Sequence, residues 1–308
     1  MKPDADEMLR NRPRHLLVTD SGLGGLSICA AIERNYREAG GAAGLRLTYV
    51  NAWPAAGGGY NSLPDIESRA AVFDGALARM AAFEPDQIVI ACNTLSVLYP
   101  LTAHARTTLI PAMGIIEIGV VLFMEALRAD PAGIIVILGT RTTVDSGAHR
   151  DGLRAAGISG DRIITVACHG LAAAIEEDPG SPEVAGLIAS CCTAAFSARP
   201  AGRSLYAGLA CTHYTYVKES IRTALERQSG GSVTVLDPNA RLADRVFPPP
   251  VPGAPPRPEA REAAVSVVSG LALDERKRRG MARLLEPVSP VTARALLSYT
   301  HVPDLFRK

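Results

Sequence analysis

Two patterns of apolar spacing alternate along the chain. Short runs rich in apolar and β-branched residues at 16–19, 45–50, 87–91, 133–138, 163–167, 205–209 and 263–268 are followed by small or polar residues and predict strands of a helix-covered sheet. Between them, at 26–38, 65–83, 120–129, 146–156, 182–198 and 274–285, apolar residues recur at helical spacing. Residues 115–118 add a short expected strand, and 51–61 read as an irregular segment after the second strand. Strand followed by helix throughout predicts an α/β fold of mainly parallel sheets flanked by helices. Residues 247–258 carry seven prolines and read as an extended linker.

The pattern repeats once. The first strand delivers Asp20, and Cys92 follows 72 residues later at the end of another strand. The strand at 133–138 delivers Thr140, and Cys211 follows 71 residues later. Ala91-Cys92-Asn93-Thr94 and Ala210-Cys211-Thr212-His213 also resemble each other. Two similar lobes follow, each presenting one cysteine beyond the carboxyl end of a strand, where ligands of open α/β sheets sit. The expected division is residues 14–115 completed by a returning segment 259–287, then 116–246, with 247–258 as linker. Residues 288–308 carry no motif that assigns them a role.

Composition narrows the partners. The 308 residues suffice for two domains, and 47% apolar content is too high for a disordered chain. Thirty-two basic against 31 acidic residues leave a net charge of +1, so no field exists to grip nucleic acid or an anionic membrane surface. Small molecules remain as the expected partners. The first fourteen residues lack the apolar run of a secretory signal, and no apolar stretch of about 18 residues is present to span a bilayer. The expected compartment is the cytoplasm, where six cysteines are poor candidates for disulfides. Cys191 and Cys192 are adjacent and the histidines scattered, so no metal-ligand spacing is present and no metal is expected. Thiol chemistry or plain burial is left.

Two thiols facing a substrate from opposite sides suit one reaction. One thiolate removes a proton from carbon and the other thiol returns one to the opposite face, inverting the centre without metal or organic cofactor. A free thiol is largely protonated at neutral pH, so each needs help. Asp20 is placed to assist Cys92, and His213 to assist Cys211. Each residue also has a plainer reading: Cys92 as a small buried side chain, Asp20-Ser21-Gly22 as a helix cap, His213 as a core histidine. Gly22-Leu23-Gly24-Gly25 lacks the third glycine of a dinucleotide loop.

Three segments carry a resemblance to a known family: Thr19-Asp20-Ser21-Gly22-Leu23-Gly24-Gly25-Leu26-Ser27, Ile88-Val89-Ile90-Ala91-Cys92-Asn93-Thr94 and Leu209-Ala210-Cys211-Thr212-His213-Tyr214. Together they resemble the signatures of the glutamate racemase family, within the aspartate/glutamate racemase superfamily. Weaker similarities lie at 114–119, 139–146, 174–177, 236–238 and 266–287, so the resemblance spans residues 14–287. It implies that Cys92 and Cys211 are the acid/base thiols, without pyridoxal phosphate, and that Asp20, His213 and Glu176 assist them. It implies that Ser21, Tyr60, Asn61, Asn93, Thr94, Thr143 and Thr212 bind the substrate. The implied protein is a homodimer that interconverts L- and D-glutamate and supplies D-glutamate for peptidoglycan.

The chain departs from the family at two places. The family's Pro-Tyr-Gly turn is Gly59-Tyr60-Asn61 here, and its Cys-Pro is Cys168-His169. Asparagine reaches the backbone angles open to glycine less readily. Alternatives therefore stay open: a relative acting on another small acid (aspartate, a hydantoin or a dicarboxylate), or a non-catalytic binding protein with the same fold.

Overall fold

The computed structural model describes residues 14–306 except 42–43, 55–57, 197–203 and 251–262. Among these residues ten strands form two sheets. In one lie β1 (Arg14–Asp20), β2 (Leu45–Asn51), β3 (Gln87–Ile90), β4 (Ala112–Gly114), β9 (Ala264–Ser269) and β10 (Thr300–His301); in the other, β5 (Ile134–Gly139), β6 (Ile163–Ala167), β7 (Leu205–Ala210) and β8 (Val233–Leu236). The helices that bear on the argument are α1 (Leu26–Glu38), α2 (Ile66–Ala81), α3 (Asn93–Leu98), α4 (Ile115–Ala129), α5 (Arg141–Asp145), α6 (Ala148–Ala155), α7 (Leu171–Glu177), α8 (Pro182–Phe196), α9 (Lys218–Ser229), α10 (Pro238–Val246), α11 (Glu275–Leu285) and α12 (Pro290–Leu297).

Every strand pairing is parallel. The strand orders are β10-β9-β2-β1-β3-β4 and β6-β5-β7-β8. Set β1 against β5 and the order β2-β1-β3-β4 repeats as β6-β5-β7-β8, so the predicted pair of similar α/β lobes is present. Helices cover both faces of each sheet, which is why the strands read as near-continuous apolar runs. The two-residue period then sorts side chains between the faces. Val89 and Ala91 join the core under α1, while Ile88, Ile90 and Cys92 join the core under α2. In the other lobe Ile135 and Ile137 face α4, whereas Val136 and Leu138 face α8.

One local expectation is corrected and two regions gain detail. Residues 115–118 open α4 rather than forming a strand; the strand is β4, just upstream, and Gly114 ends it as the helix N-cap. Ile115, Gly119, Phe123 and Leu127 are the fully buried positions, and their spacing of four is helical. The helix expected over 146–156 is α6, starting two residues later, and a short unexpected helix, α5, precedes it across Gly147, whose φ of 70° is left-handed. Thr140 starts α5 by accepting a hydrogen bond from Thr143 N–H. Residues 288–306 are structural: α12 packs on α1 and β9, and β10 extends the six-stranded sheet. Of the proline-rich segment, 251–258 lies outside the described residues, as do 197–198 of the expected helix 182–198.

No helix among the described residues is long and apolar enough to cross a membrane. The helix α10, which follows β8, sends Leu242, Ala243 and Val246 into the core of the six-stranded lobe, and so ties the two lobes together.

Candidate active site

A cavity of about 1030 Å³ opens between the lobes. Its walls are the residues that leave the carboxyl ends of the strands: Asp20 and Ser21 after β1, Trp53 after β2, Cys92 to Thr94 after β3, and Leu271 to Asp274 after β9. Facing them are Thr140 to Thr142 after β5, Cys168 and His169 after β6, and Cys211 to His213 after β7. Parallel strands aim all these ends at one place, so the repeat in topology becomes a two-sided site.

Cys92 is the N-cap residue of α3 and is buried. Its sulfur lies 3.2 Å from Ser21 Oγ. Burial pushes the Cys92 thiol well up, and the Asp20 charge pushes it the same way. The expected contact between Asp20 and this sulfur is not made. Asp20 Oδ1 accepts from Ser21 N–H at 2.6 Å, and Oδ2 accepts from Gly25 N–H at 2.6 Å and from Thr212 Oγ1 at 2.8 Å. Its carboxylate therefore holds the turn before α1 and clasps the opposite lobe. Ser21 touches the thiol instead.

Cys211 is also buried, and its sulfur lies 3.9 Å from His213 Nδ1. His213 Nε2 meets Glu176 Oε2 at 2.9 Å. Burial alone would lower the pKa of His213, but its bonds to Cys211 and Glu176 raise it well above the ordinary value. Glu176 moves the other way: burial opposes its charge, and the bond to His213 overcomes it, leaving the carboxyl below its usual range. Charged imidazolium and carboxylate are thus the stable forms of this pair. Glu176 Oε2 also accepts from Leu23 N–H, 3.4 Å away in the first lobe.

The glycines of the first turn make room for this triad. A Cβ on Gly22 would lie 2.9 Å from Glu176 Oε2 and 3.2 Å from His213 Cε1; one on Gly24 would lie 2.6 Å from His213 Nδ1. Neither glycine has a left-handed φ. Space, not backbone freedom, demands them, and Gly22-Leu23-Gly24-Gly25 is a seat for the second lobe.

Between the cysteines lies a row of neutral polar groups. Thr94 Oγ1 is 3.1 Å from Thr140 Oγ1 and 3.4 Å from Thr143 Oγ1 across the lobes. Asn93 is buried with neither side-chain atom hydrogen-bonded, so its amide is available to a ligand. Asn61 lines the cavity, where its Oδ1 accepts from Thr142 Oγ1 of the opposite lobe. Tyr60 does not line it: the ring is buried edge-on against Phe73 in the core behind Cys92. Thr143 also lies behind the surface, and Thr140 and Thr142 face the cavity. Strand-end position was the available signal for these two threonines. Arg69 and Lys277 also line the cavity, and no motif marked either.

All six cysteines are free and buried. Among the described residues no group of three or more His, Cys, Asp or Glu is placed to hold a metal ion.

Comparison with known proteins agrees with this geometry. The chain is 29% identical over 226 residues to the glutamate racemase of Aquifex pyrophilus, covering 73% of this chain and 79% of that protein. It is 28% identical over 226 residues to that of Aquifex aeolicus, with the same coverage. The fold superposes on the glutamate racemase of Campylobacter jejuni with a TM-score of 0.65 at 20% identity, covering 88% of this chain and 98% of the other. It also superposes on that of Francisella tularensis in complex with D-glutamate, with a TM-score of 0.65 at 20% identity over 90% and 94% of the two chains. Residues 17–246 match the family profile described as Asp/Glu/Hydantoin racemase, and with three quarters of its length inside that match this chain belongs to the Asp/Glu/hydantoin racemase family.

Proposed function

We propose that the protein is a cofactor-independent racemase that interconverts L- and D-glutamate through two thiols acting on opposite faces of the α-carbon. The observation that carries this reading is the pair Cys92 and Cys211, each at the end of a topologically equivalent strand and each opening on the same cavity. In one direction Cys211, with His213 and Glu176 behind it, takes the α-proton while the protonated Cys92 returns one to the other face. In the reverse direction the roles exchange. The unbonded amide of Asn93 and the hydroxyls of Thr94, Thr140 and Thr212 supply donors and acceptors for the α-amino and α-carboxylate groups. The rest of the proposal follows the family likeness: a cytoplasmic homodimer that supplies D-glutamate for peptidoglycan.

A second reading, a racemase of another small acid, has one observation in its favour. The turn that is Pro-Tyr-Gly in the family ends here in Asn61, whose side chain is engaged by Thr142. Incubating the protein in D2O with a panel of L- and D-amino acids, under reducing conditions, separates the possibilities. Deuterium entering the α-position of glutamate fastest supports the first reading. Faster exchange in another acid replaces the substrate, and no exchange in any of them overturns the enzymatic proposal.

A further inference from the structure

Arg69 leaves the first turns of α2 and reaches the cavity from the six-stranded lobe. Its Nε and Nη2 donate to the Leu63 carbonyl at 3.3 and 2.9 Å, and its Nη1 donates to Thr142 Oγ1 of the opposite lobe at 3.1 Å. All three bonds end on neutral acceptors. No ion pair among the described residues includes Arg69. A guanidinium keeps its charge at any physiological pH, and here one N–H on each terminal nitrogen remains uncommitted.

The other cations of the cavity differ. Lys277 is already paired with Glu177 at 2.5 Å, and Arg141 is exposed. Of these three, Arg69 alone is half-buried, held from both lobes and outside any ion pair, the exposed Asp65 that caps α2 acting on it only through its field. Its place in the row of polar groups is definite. Thr142, which it touches, adjoins Thr143; Thr143 Oγ1 is 3.4 Å from Thr94 Oγ1, and Thr94 lies two residues from Cys92. From the reacting thiol outward, the wall therefore runs through the amide of Asn93, then hydroxyls, then a fixed cation. An amino acid whose side chain ends in a second carboxylate matches that order, because two carboxylate oxygens fit two guanidinium N–H groups. Asn61, engaged with Thr142, closes the lobes at this end and leaves charge recognition to the arginine.

We infer that Arg69 is the specificity-determining residue of the cleft, binding the distal carboxylate and selecting dicarboxylic over monocarboxylic amino acids. This rests on the racemase reading above. The test compares α-proton exchange of glutamate and glutamine by the wild-type protein, Arg69→Met and Arg69→Lys, alongside calorimetric binding of glutarate and butyrate. Removing one partner of a desolvated charge pair costs about 2–5 kcal/mol, so Arg69→Met lowers kcat/KM for glutamate by at least ~30-fold. The expected loss falls mainly in KM and leaves glutamine exchange within about threefold, with Arg69→Lys in between. An unchanged glutamate-to-glutamine ratio in folded Arg69→Met overturns the inference and leaves the racemase reading standing. Should Arg69→Met fail to fold by circular dichroism, Arg69→Lys decides by the same ratio. If the wild-type protein exchanges no α-proton at all, the racemase reading has failed. Glutarate binding then decides separately: weakening by Arg69→Lys with butyrate unaffected supports the inference, and unweakened or absent glutarate binding overturns it.

Discussion

The six-stranded and four-stranded lobes share a strand order and place a cysteine after the equivalent strand, yet they surround that cysteine differently. Cys92 is buried near the Asp20 carboxylate, with the Ser21 hydroxyl and the backbone of Ser21 and Leu95 against its sulfur, and burial and charge both favour the protonated thiol. Cys211 stands beside an imidazole that Glu176 holds in its charged form. Backbone topology brought one thiol from each lobe to the same cavity; individual side chains then kept one protonated and gave the other a proton partner. A site for inversion needs this inequality at any instant, since one group must give while the other takes.

The comparison breaks most readily at the sulfurs. Cys92→Ser and Cys211→Ser should each lower racemisation by roughly 10³-fold, near the middle of what a positioned acid or base contributes. Polarimetry in both directions, with deuterium exchange read by mass spectrometry, measures it. Either variant racemising at the wild-type rate ends the two-base scheme.

Acid should strike the four-stranded lobe first. His149 on α6 is buried against Phe123 with its Nε2 unbonded, and burial lowers its pKa to about 4. The unfolded chain takes up a proton near pH 6.5 and the folded one only near 4. The contribution is therefore whole above pH 6.5 and is lost as pH falls toward 4, amounting to ~3 kcal/mol. Urea midpoints at pH 7 and pH 4.5 test this, and His149→Leu should flatten the difference; an equal pH dependence in that variant refutes the assignment.

Glu176→Gln probes the inequality between the thiols directly. Removing the carboxylate should let the His213 pKa fall, since burial then acts with less opposition, and the alkaline limb of the pH–rate profile should move to lower pH. A loss of roughly tenfold or more in kcat at pH 8 accompanies it. An unmoved limb would mean that Glu176 only packs.

The smallest effect is local to the six-stranded lobe. Ser289 caps α12 by accepting from Thr292 N–H at 3.1 Å, and Ser289→Ala should cost about 1 kcal/mol in thermal or urea unfolding without altering the exchange rate. A changed exchange rate would show that residues 288–306 reach the site, contrary to their place at the far edge of the sheet.

Legibility differed between elements for physical reasons. Strands covered on both faces carry near-continuous apolar runs, so β1, β5 and β7 stood out. The opening of α4 did not, because Ile115-Ile116 looks the same at the start of a buried helix as in a strand. Residues 288–306 carry no chemistry-bearing motif, and only pairing with β9 gives them a role. That Cys92, Cys211 and His213 line the cavity was legible because each follows the end of a strand. That Tyr60 and Thr143 sit behind the cavity wall was not legible, because a residue's number does not say which way its side chain leaves the turn.

The sequence alone determined the α/β class, the twofold repeat and the two thiols, since these depend on periodicity and on residues close together in the chain. Tertiary structure decided everything that needs contact between the lobes: that Asp20 clasps Thr212 rather than Cys92, that Gly22 and Gly24 make room for His213 and Glu176, and that Arg69 reaches Thr142. Each joins residues more than 70 positions apart, and burial, charge and distance among them exist only once the two sheets face each other.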